Sequence, residues 1–378
     1  MPTILFVMKY PLHRRENLKL KFDGQIKAAR ALGWDAYCIG WDTQGMYLLG
    51  SGTKILLCKN AMAGVRGYDH TKIFADLMKA ARIAIRKIQV DVLYLRYMPT
   101  FFNAPGMVRR LKASGAKLAV EYPTYPVAQE NERFYLRRQV FRYADHVMAK
   151  IRPMVDLYTA IGEDCGAMLY GKSAMNIVNG VNVGGLTQHV PRTDQQDIRL
   201  LALASMSGWH GYDRIIQSLA DYQGDADVHI AFVGGDGDGS LAKWKQMVQL
   251  KALQEHVTFY GPRYGDALEE IIAQSDLGVG SLGMFRYGLQ QGMTLKAREF
   301  MARGLPFISA VEDPALPEGR GFFLQVPNDE TPIAMDEIVS FAKLAKSDVL
   351  LADNMRAYAE QNLSWQGVLS PVLERLKP

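Results

Sequence analysis

Residues 281–306 read SLGMFRYGLQQGMTLKAREFMARGLP, and their types and spacing suit an anion site. An apolar run at 277–280 leads through a glycine-containing loop into a helix that Thr294 can N-cap and Gly304 can end. Helix N-termini carry unpaired N–H groups and partial positive charge, so acidic side chains are favoured there. This helix instead opens with Lys296 and Arg298. For the helix alone that costs about 0.3–1 kcal/mol per charge. A phosphate at the helix tip resolves the conflict: the N–H groups near Thr294 and Leu295 then act together with Lys296 and Arg298. Glu299 follows one turn later, where a carboxylate can accept hydrogen bonds from both hydroxyls of a ribose. The same letters also fit a surface helix of mixed charge.

The elements that must position these residues follow from the apolar pattern. A chain of 378 residues suggests two domains, and 48% hydrophobic with 22% charged residues is ordinary for a globular protein. Short apolar runs, the mark of buried parallel strands, fall at 4–8, 36–40, 54–58, 92–95, 118–121, 146–149 and 174–178. Helical periodicity falls at 20–32, 68–88, 105–113, 131–143 and 153–160. The alternation then restarts, with strands at 199–204, 228–233, 257–260, 277–280, 306–310 and 322–325. Helices fall at 213–222, 241–250, 266–274, 295–303, 335–344 and 349–361. This predicts an α/β fold of two Rossmann-like domains facing a cleft, residues 1–183 and 184–361, divided in the polar stretch 184–198.

Bulk properties narrow the class. Cys38, Cys58 and Cys165 are scattered, without disulfide or metal spacing, which suits a reduced cytoplasmic protein. The apolar run 3–8 is too short for a signal sequence or a membrane span. A net charge of +5 suits anionic ligands or a membrane surface and argues for no nucleic-acid partner.

The segment Gln291-Gly292-Met293-Thr294, then Glu299, then Ala302-Arg303-Gly304-Leu305-Pro306 resembles the hallmark of the family-4 retaining glycosyltransferases of the GT-B fold. Their loop reads Glu-Gly-Phe-Gly, with a second Glu eight residues after the first and Ala-x-Gly-x-Pro beyond. Here Gln291 replaces the first Glu, which in the family lies near the hydroxyls of the transferred sugar; Gln keeps the hydrogen bonds and loses the charge. Asn179-Gly180-Val181-Asn182, Val233-Gly234-Gly235-Asp236-Gly237, Val257-Thr258-Phe259-Tyr260-Gly261 and Ser275-Asp276-Leu277 match further family segments in order, so the resemblance covers roughly residues 175–310. Trp209-His210-Gly211-Tyr212-Asp213, with the following Leu295-Lys296-x-Arg298-Glu299, resembles a subset of bacterial surface-polysaccharide transferases. His210-Gly211 stands where the family has Lys-Gly on the diphosphate, and its Arg has no counterpart. The alternative for His210 is a turn residue at a helix start.

The resemblance implies retaining transfer of a sugar from a UDP- or GDP-linked donor to a glycan or lipid-linked acceptor, with no cofactor and no metal in the site. It assigns donor binding to His210, Gly211, Gly235, Gln291, Gly292, Met293, Thr294, Leu295, Arg298 and Glu299, and the phosphate charge to Lys296, Arg286 and Arg298. It also implies that residues 362–378 cross back onto the first domain. Asp236-Gly237-Asp238 imitates a metal motif but reads as a turn opening a helix, and no His/Asp/Glu cluster has metal-ligand spacing.

In the first domain, Glu121 ends an apolar run. It either stabilises positive charge at the anomeric carbon as a catalytic group or hydrogen-bonds the proline-rich loop that follows. Arg96-Tyr97 invites a similar reading. The basic stretch 9–27, with His13, Arg14, Arg15 and Lys19, suits a lipid-diphosphate acceptor or the anionic inner face of a membrane, as a peripheral contact. Arg133, Arg137, Arg138 and Arg142, interleaved with Phe134, Tyr135 and Phe141, extend it; the alternative is two solvated helix faces. Two other functions share this fold: a nucleotide-sugar epimerase and a non-catalytic partner subunit.

Overall fold

The computed structural model describes residues 1–12, 17–59, 72–98, 104–126, 135–193 and 195–378, with only the backbone at 17, 135–138, 140 and 141. The chain divides into two units, Met1–Gly180 with Trp365–Pro378, and Val181–Ser364. No helix among the described residues is long and apolar enough to cross a membrane.

The first unit contains β1 (Thr3–Pro11), α1 (Asn17–Ala31), β2 (Asp35–Trp41), β3 (Gly45–Gly50), β4 (Thr53–Lys59), α2 (Lys72–Lys87), β5 (Val92–Arg96), α3 (Ala104–Ala113), β6 (Lys117–Tyr125), α4 (Tyr135–Ala149), β7 (Leu157–Gly162), β8 (Met168–Leu169) and β9 (Lys172–Asn176). They form one sheet in the order β4-β3-β2-β1-β5-β6-β7-β9-β8. Its centre is parallel, and its strands are buried apolar runs such as Val92–Arg96, as a sheet covered on both faces requires.

The second unit contains β10 (Ile198–Leu203), α5 (Tyr212–Asp221), β11 (Val228–Val233), α6 (Ser240–Leu250), β12 (Val257–Gly261), α7 (Asp266–Ala273), β13 (Leu277–Val279), α8 (Leu295–Arg303), β14 (Phe307–Ser309), β15 (Phe323–Gln325), α9 (Met335–Ser347) and α10 (Leu351–Tyr358). Its sheet, β12-β11-β10-β13-β14-β15, is parallel throughout. α5 buries Tyr212, Ile215, Ile216 and Leu219, the i, i+3, i+4, i+7 stripe of a helix lying on a sheet. The strand order reverses between β10 and β13, and in open α/β sheets ligands bind beyond the carboxyl ends of the strands at such a reversal.

The last helix, α11 (Trp365–Leu376), belongs to the first unit and buries Trp365, Val368, Leu369, Val372, Leu373 and Leu376. It packs on α1, where Gly24 permits the approach: a Cβ there would stand 2.2 Å from a Trp365 ring carbon.

The predicted two-domain α/β fold is present, with two local corrections. Residues 146–149 are the last turn of α4 instead of a strand, and residues 157–160 lie in strand β7 instead of a helix. Apolar runs of four residues fit either period, so tertiary pairing decides them: β7 pairs with both β6 and β9. The antiparallel strand β3, whose apolar run Met46–Leu49 lies between Gly45 and Gly50, is not among the expected strands.

Candidate functional site

The site is built at the carboxyl ends of β10 and β13. After β10 the chain makes a 3-10 turn, Gly208–His210, and enters α5 through Gly211. Ser207 and His210 cap this turn: the Ser207 N–H donates to His210 Nδ1 (3.2 Å), and the His210 N–H donates to the Ser207 carbonyl (2.9 Å). Asp238 accepts from the Gly208 N–H at 2.9 Å and so ties the turn to the loop after β11. Gly211 has φ +63°, and a Cβ on it would lie 2.5 Å from the Gly283 nitrogen. The Leu282 N–H donates to the His210 carbonyl at 2.8 Å, so the β10 and β13 loops are pressed backbone to backbone. Gly211→Ala is expected to cost roughly 1–3 kcal/mol from the left-handed backbone alone, read as a lowered urea midpoint, with loss of ligand binding because the two loops must part.

Lys296 lies against this turn. Its Nζ donates to Tyr212 Oη (2.8 Å) and weakly to the Gly280 carbonyl (3.4 Å). It stands 5.6 Å from the centre of the Trp209 ring and 5.1 Å from that of Tyr212. Among the described residues no carboxylate reaches it, and burial drives its pKa well below the ordinary lysine value. His210 is buried, stacked on Tyr212 with ring centres 5.2 Å apart. Burial, then the Lys296 charge, push its pKa down to about 2, so the ring is neutral. Nδ1 lies 3.2 Å from both the nitrogen and the carbonyl oxygen of Ser207, and Nε2 makes no hydrogen bond to a described residue.

The tip of α8 completes the positive patch. Thr294 is its N-cap, with Oγ1 accepting from the Ala297 N–H at 3.3 Å. The N–H groups of Leu295 and Lys296 have no acceptor among the described residues. One desolvated amino group, one imidazole and two helix-tip N–H groups, with no carboxylate bonded to them among the described residues, form a site that suits a phosphate group.

Four expected residues stand elsewhere. Arg298 is fully buried, and its Nη1 and Nη2 each meet one oxygen of Asp313 at 2.8 Å. It is a strut between α8 and the loop after β14, not a phosphate ligand, because its place on the helix turns it to the core. Arg286 is bound by Asp213 (2.8 Å) and Glu330 (2.8 Å), which offset its charge. Glu121 is only 1% exposed and takes hydrogen bonds from Lys21 (3.0 Å), Gln25 (2.8 Å), Tyr94 (2.9 Å) and Arg96 (3.0 Å). Both its oxygens are engaged by these four donors. Lys19 is paired with Asp23 at 2.9 Å and is therefore not a free acceptor-side cation. His13, Arg14, Arg15, Arg133 and Phe134 lie outside the described residues, as do the side chains of Tyr135, Arg137, Arg138 and Phe141.

Glu121 also sets an acid limit on stability. Burial alone would raise its pKa, but Lys21, Arg96 and Gln25 outweigh burial and hold it at about 2. A folded pKa below the unfolded value means a contribution present above the unfolded pKa and lost as pH falls toward the folded one. Acid unfolding is therefore expected to begin below about pH 4.5 in the wild type. Glu121→Gln should flatten that part of the pH–stability curve while lowering stability at neutral pH.

The remaining donor-loop residues lie around the α8 tip. Gln291 donates to Glu312 Oε1 at 3.2 Å and forms a short parallel bridge with it. The Gly292 N–H donates to the Glu312 carbonyl at 2.9 Å, and Met293 leads from there to the Thr294 cap. Glu299 accepts from Arg303 Nε at 3.1 Å through one oxygen; its other oxygen bonds no described residue. The Gly235 carbonyl accepts from the Met206 N–H at 2.7 Å, which holds the β11 loop beside the β10 loop. Asp236 accepts from the Gly239 N–H (2.8 Å) and Asp238 from the Ser240 N–H (3.1 Å), so this loop is a turn opening α6. Trp209 and Tyr212, the walls around Lys296, and Glu312 were not anticipated as site residues; of these the Trp-His-Gly-Tyr run alone left a signal in the sequence.

Comparison with known proteins finds matches to the second unit and to the fold. Residues 197–341 match the family model of glycosyl transferases group 1. A search of curated protein sequences returns no match. Sucrose-phosphate synthase from Thermosynechococcus elongatus is similar in structure over 99% of this chain and 98% of its own, with a TM-score of 0.70 and 14% identity. HepE from Anabaena, in complex with UDP, is similar over 100% and 99%, with a TM-score of 0.61 and 14% identity. The catalytic domain of starch synthase IV from Arabidopsis thaliana, bound to ADP and acarbose, is similar over 100% and 98%, with a TM-score of 0.66 and 12% identity. The fold is GT-B, and the family match lies within the second unit.

Proposed function

We propose that the protein is a retaining glycosyltransferase that moves a sugar from a UDP- or GDP-linked donor to a glycan or lipid-linked acceptor in surface polysaccharide synthesis. The observation that carries this reading is Lys296: a desolvated ammonium with no carboxylate partner, set beside unpaired helix-tip N–H groups. The donor diphosphate supplies the missing negative charge. As the glycosidic bond breaks, the leaving diphosphate gains charge, so Lys296 and the α8 tip stabilise the transition state more than the bound donor. No metal is needed for that charge balance. Glu299 holds the ribose hydroxyls through its second oxygen while Arg303 fixes the first. Gln291 orients the sugar by hydrogen bonds and transfers no proton. The scattered reduced cysteines and the basic stretch 9–27 suit a cytoplasmic enzyme with its acceptor at the inner face of the membrane.

A panel of nucleotides and nucleotide sugars tests this reading. A nucleoside diphosphate that binds the folded state at 100 times its Kd adds about 2.7 kcal/mol of stability, visible as a raised Tm. The expected result is a shift with UDP or GDP but not with the bare nucleoside, and slow hydrolysis of the matching sugar donor. Interconversion of the sugar without release would point to an epimerase instead. Absence of any nucleotide binding would leave the fold without donor chemistry.

A further inference from the structure

We propose that Asp227, His229 and His256 form a site for a divalent transition metal of the zinc type at the amino ends of β11 and β12. In sequence the three lie up to 29 residues apart, with no ligand spacing to mark them. Parallel pairing brings them together: Ile230 is in register with Val257, and the Ile230 N–H donates to the His256 carbonyl at 2.8 Å. His229 Nε2 lies 3.0 Å from Asp227 Oδ2, and His256 Nδ1 lies 3.5 Å from Asp227 Oδ1. The three donor atoms lie within 4.8 Å of one another, and the imidazole centres are 5.3 Å apart.

These separations match what a metal imposes. Zinc holds nitrogen and oxygen ligands at about 2.0–2.1 Å in a tetrahedron, which sets neighbouring ligand atoms roughly 3.3–3.4 Å apart. The separations from Asp227, 3.0 Å from one oxygen to His229 and 3.5 Å from the other to His256, are close to that value. His229 has no other side-chain hydrogen bond among the described residues, and His256 Nδ1 has one, to the Val228 carbonyl, which it gives up when a metal binds. The Val228 carbonyl oxygen is 3.2 Å from His256 Nδ1, and it or a water completes the shell. Two imidazoles and one carboxylate favour zinc, nickel or copper over magnesium or calcium. Arg199 is in register beside His229, but its guanidinium is bound by Asp197 at 2.6 Å, which offsets the local positive charge. The triad is solvent-accessible, with side-chain exposures of 59%, 36% and 42% for Asp227, His229 and His256, so an ion reaches it without unfolding.

The site is structural. It stands at the opposite end of the strands from the α8 tip, and β12 is an edge strand that among the described residues pairs only with β11. A metal held by Asp227 and His229 on one side and His256 on the other fastens that edge. The inference does not depend on the transferase reading.

The test uses the full-length protein stripped with chelator and titrated calorimetrically with zinc chloride, with magnesium chloride as the hard-ion control. The expected result is one zinc per chain, a raised Tm on zinc addition, and no response to magnesium. His229→Ala and His256→Ala, both at exposed positions and checked for folding by circular dichroism, should each weaken zinc by more than the roughly 10–100-fold that an outer-shell partner contributes. Cobalt substitution should give the visible absorption of a tetrahedral ion in the wild type alone. A wild type that takes up no zinc, or a double variant that binds it with equal stoichiometry and affinity, would overturn the assignment.

Discussion

Lys296→Met lowers kcat/KM for the sugar donor by roughly 10²–10³, the loss found when one preorganised donor to a developing negative charge is removed. Three features of the site set this magnitude. The ammonium is desolvated, so its attraction to a phosphate is less screened than at a surface. It is held by Tyr212 at 2.8 Å, so it does not need to be ordered on binding. Its neighbour His210 is neutral and cannot replace the lost charge. Stability should move the other way. An ammonium buried without a carboxylate carries an uncompensated desolvation cost, so the variant should unfold at the same denaturant concentration as wild type or slightly higher. A second consequence follows from the pKa. Burial depresses Lys296 in the free protein, and a bound diphosphate raises it. Binding therefore takes up protons at pH values between the free and bound pKa. Calorimetry in buffers of different ionisation enthalpy reads that uptake, which should vanish in Lys296→Met.

Arg298→Met produces the opposite pattern, large in stability and indirect in binding. Its side chain is fully buried, and its two bonds to Asp313 span α8 and the loop after β14. Removing one partner strands the other charge in the core, at a cost of about 3–5 kcal/mol. The urea midpoint should fall accordingly. Pairing the change with Asp313→Leu should recover most of the loss, because an apolar pair of similar volume replaces a desolvated ion pair. The double-mutant cycle separates this strut from a phosphate ligand. If Arg298 bound phosphate, Arg298→Met would leave stability near wild type, and Asp313→Leu would not compensate it. Because α8 carries Lys296, a loosened helix should also weaken donor binding in the single variant and regain it in the double.

The contrast between these two basic residues shows where the sequence is legible. Both stand in the first turn of α8 against the helix dipole, and the charge pattern treats them alike. Helical geometry separates them: two positions apart, their side chains leave the helix in different directions. One then meets Tyr212 and the other Asp313, partners that only the sheet brings near. The same limit hid the surroundings of Glu121, whose partners Lys21 and Gln25 lie about a hundred residues away on α1. Local signals were readable. The Thr294 cap and the Gly304 stop mark α8, and apolar runs mark the second-unit strands, because caps and periodicity are properties of neighbouring residues. Runs as short as 146–149 carry no period of their own, and long-range pairing settled them.

The most direct measurement of the central claim is a calorimetric titration of UDP and GDP into the wild type and Lys296→Met under identical conditions. The account predicts that the wild type binds at least one of the two, that Lys296→Met binds it ten- to a hundredfold more weakly, equivalent to about 1.4–2.7 kcal/mol, and that urea unfolding is unchanged. Equal affinity in the two proteins, or weaker binding only where stability has also collapsed, would contradict the placement of the donor diphosphate at Lys296.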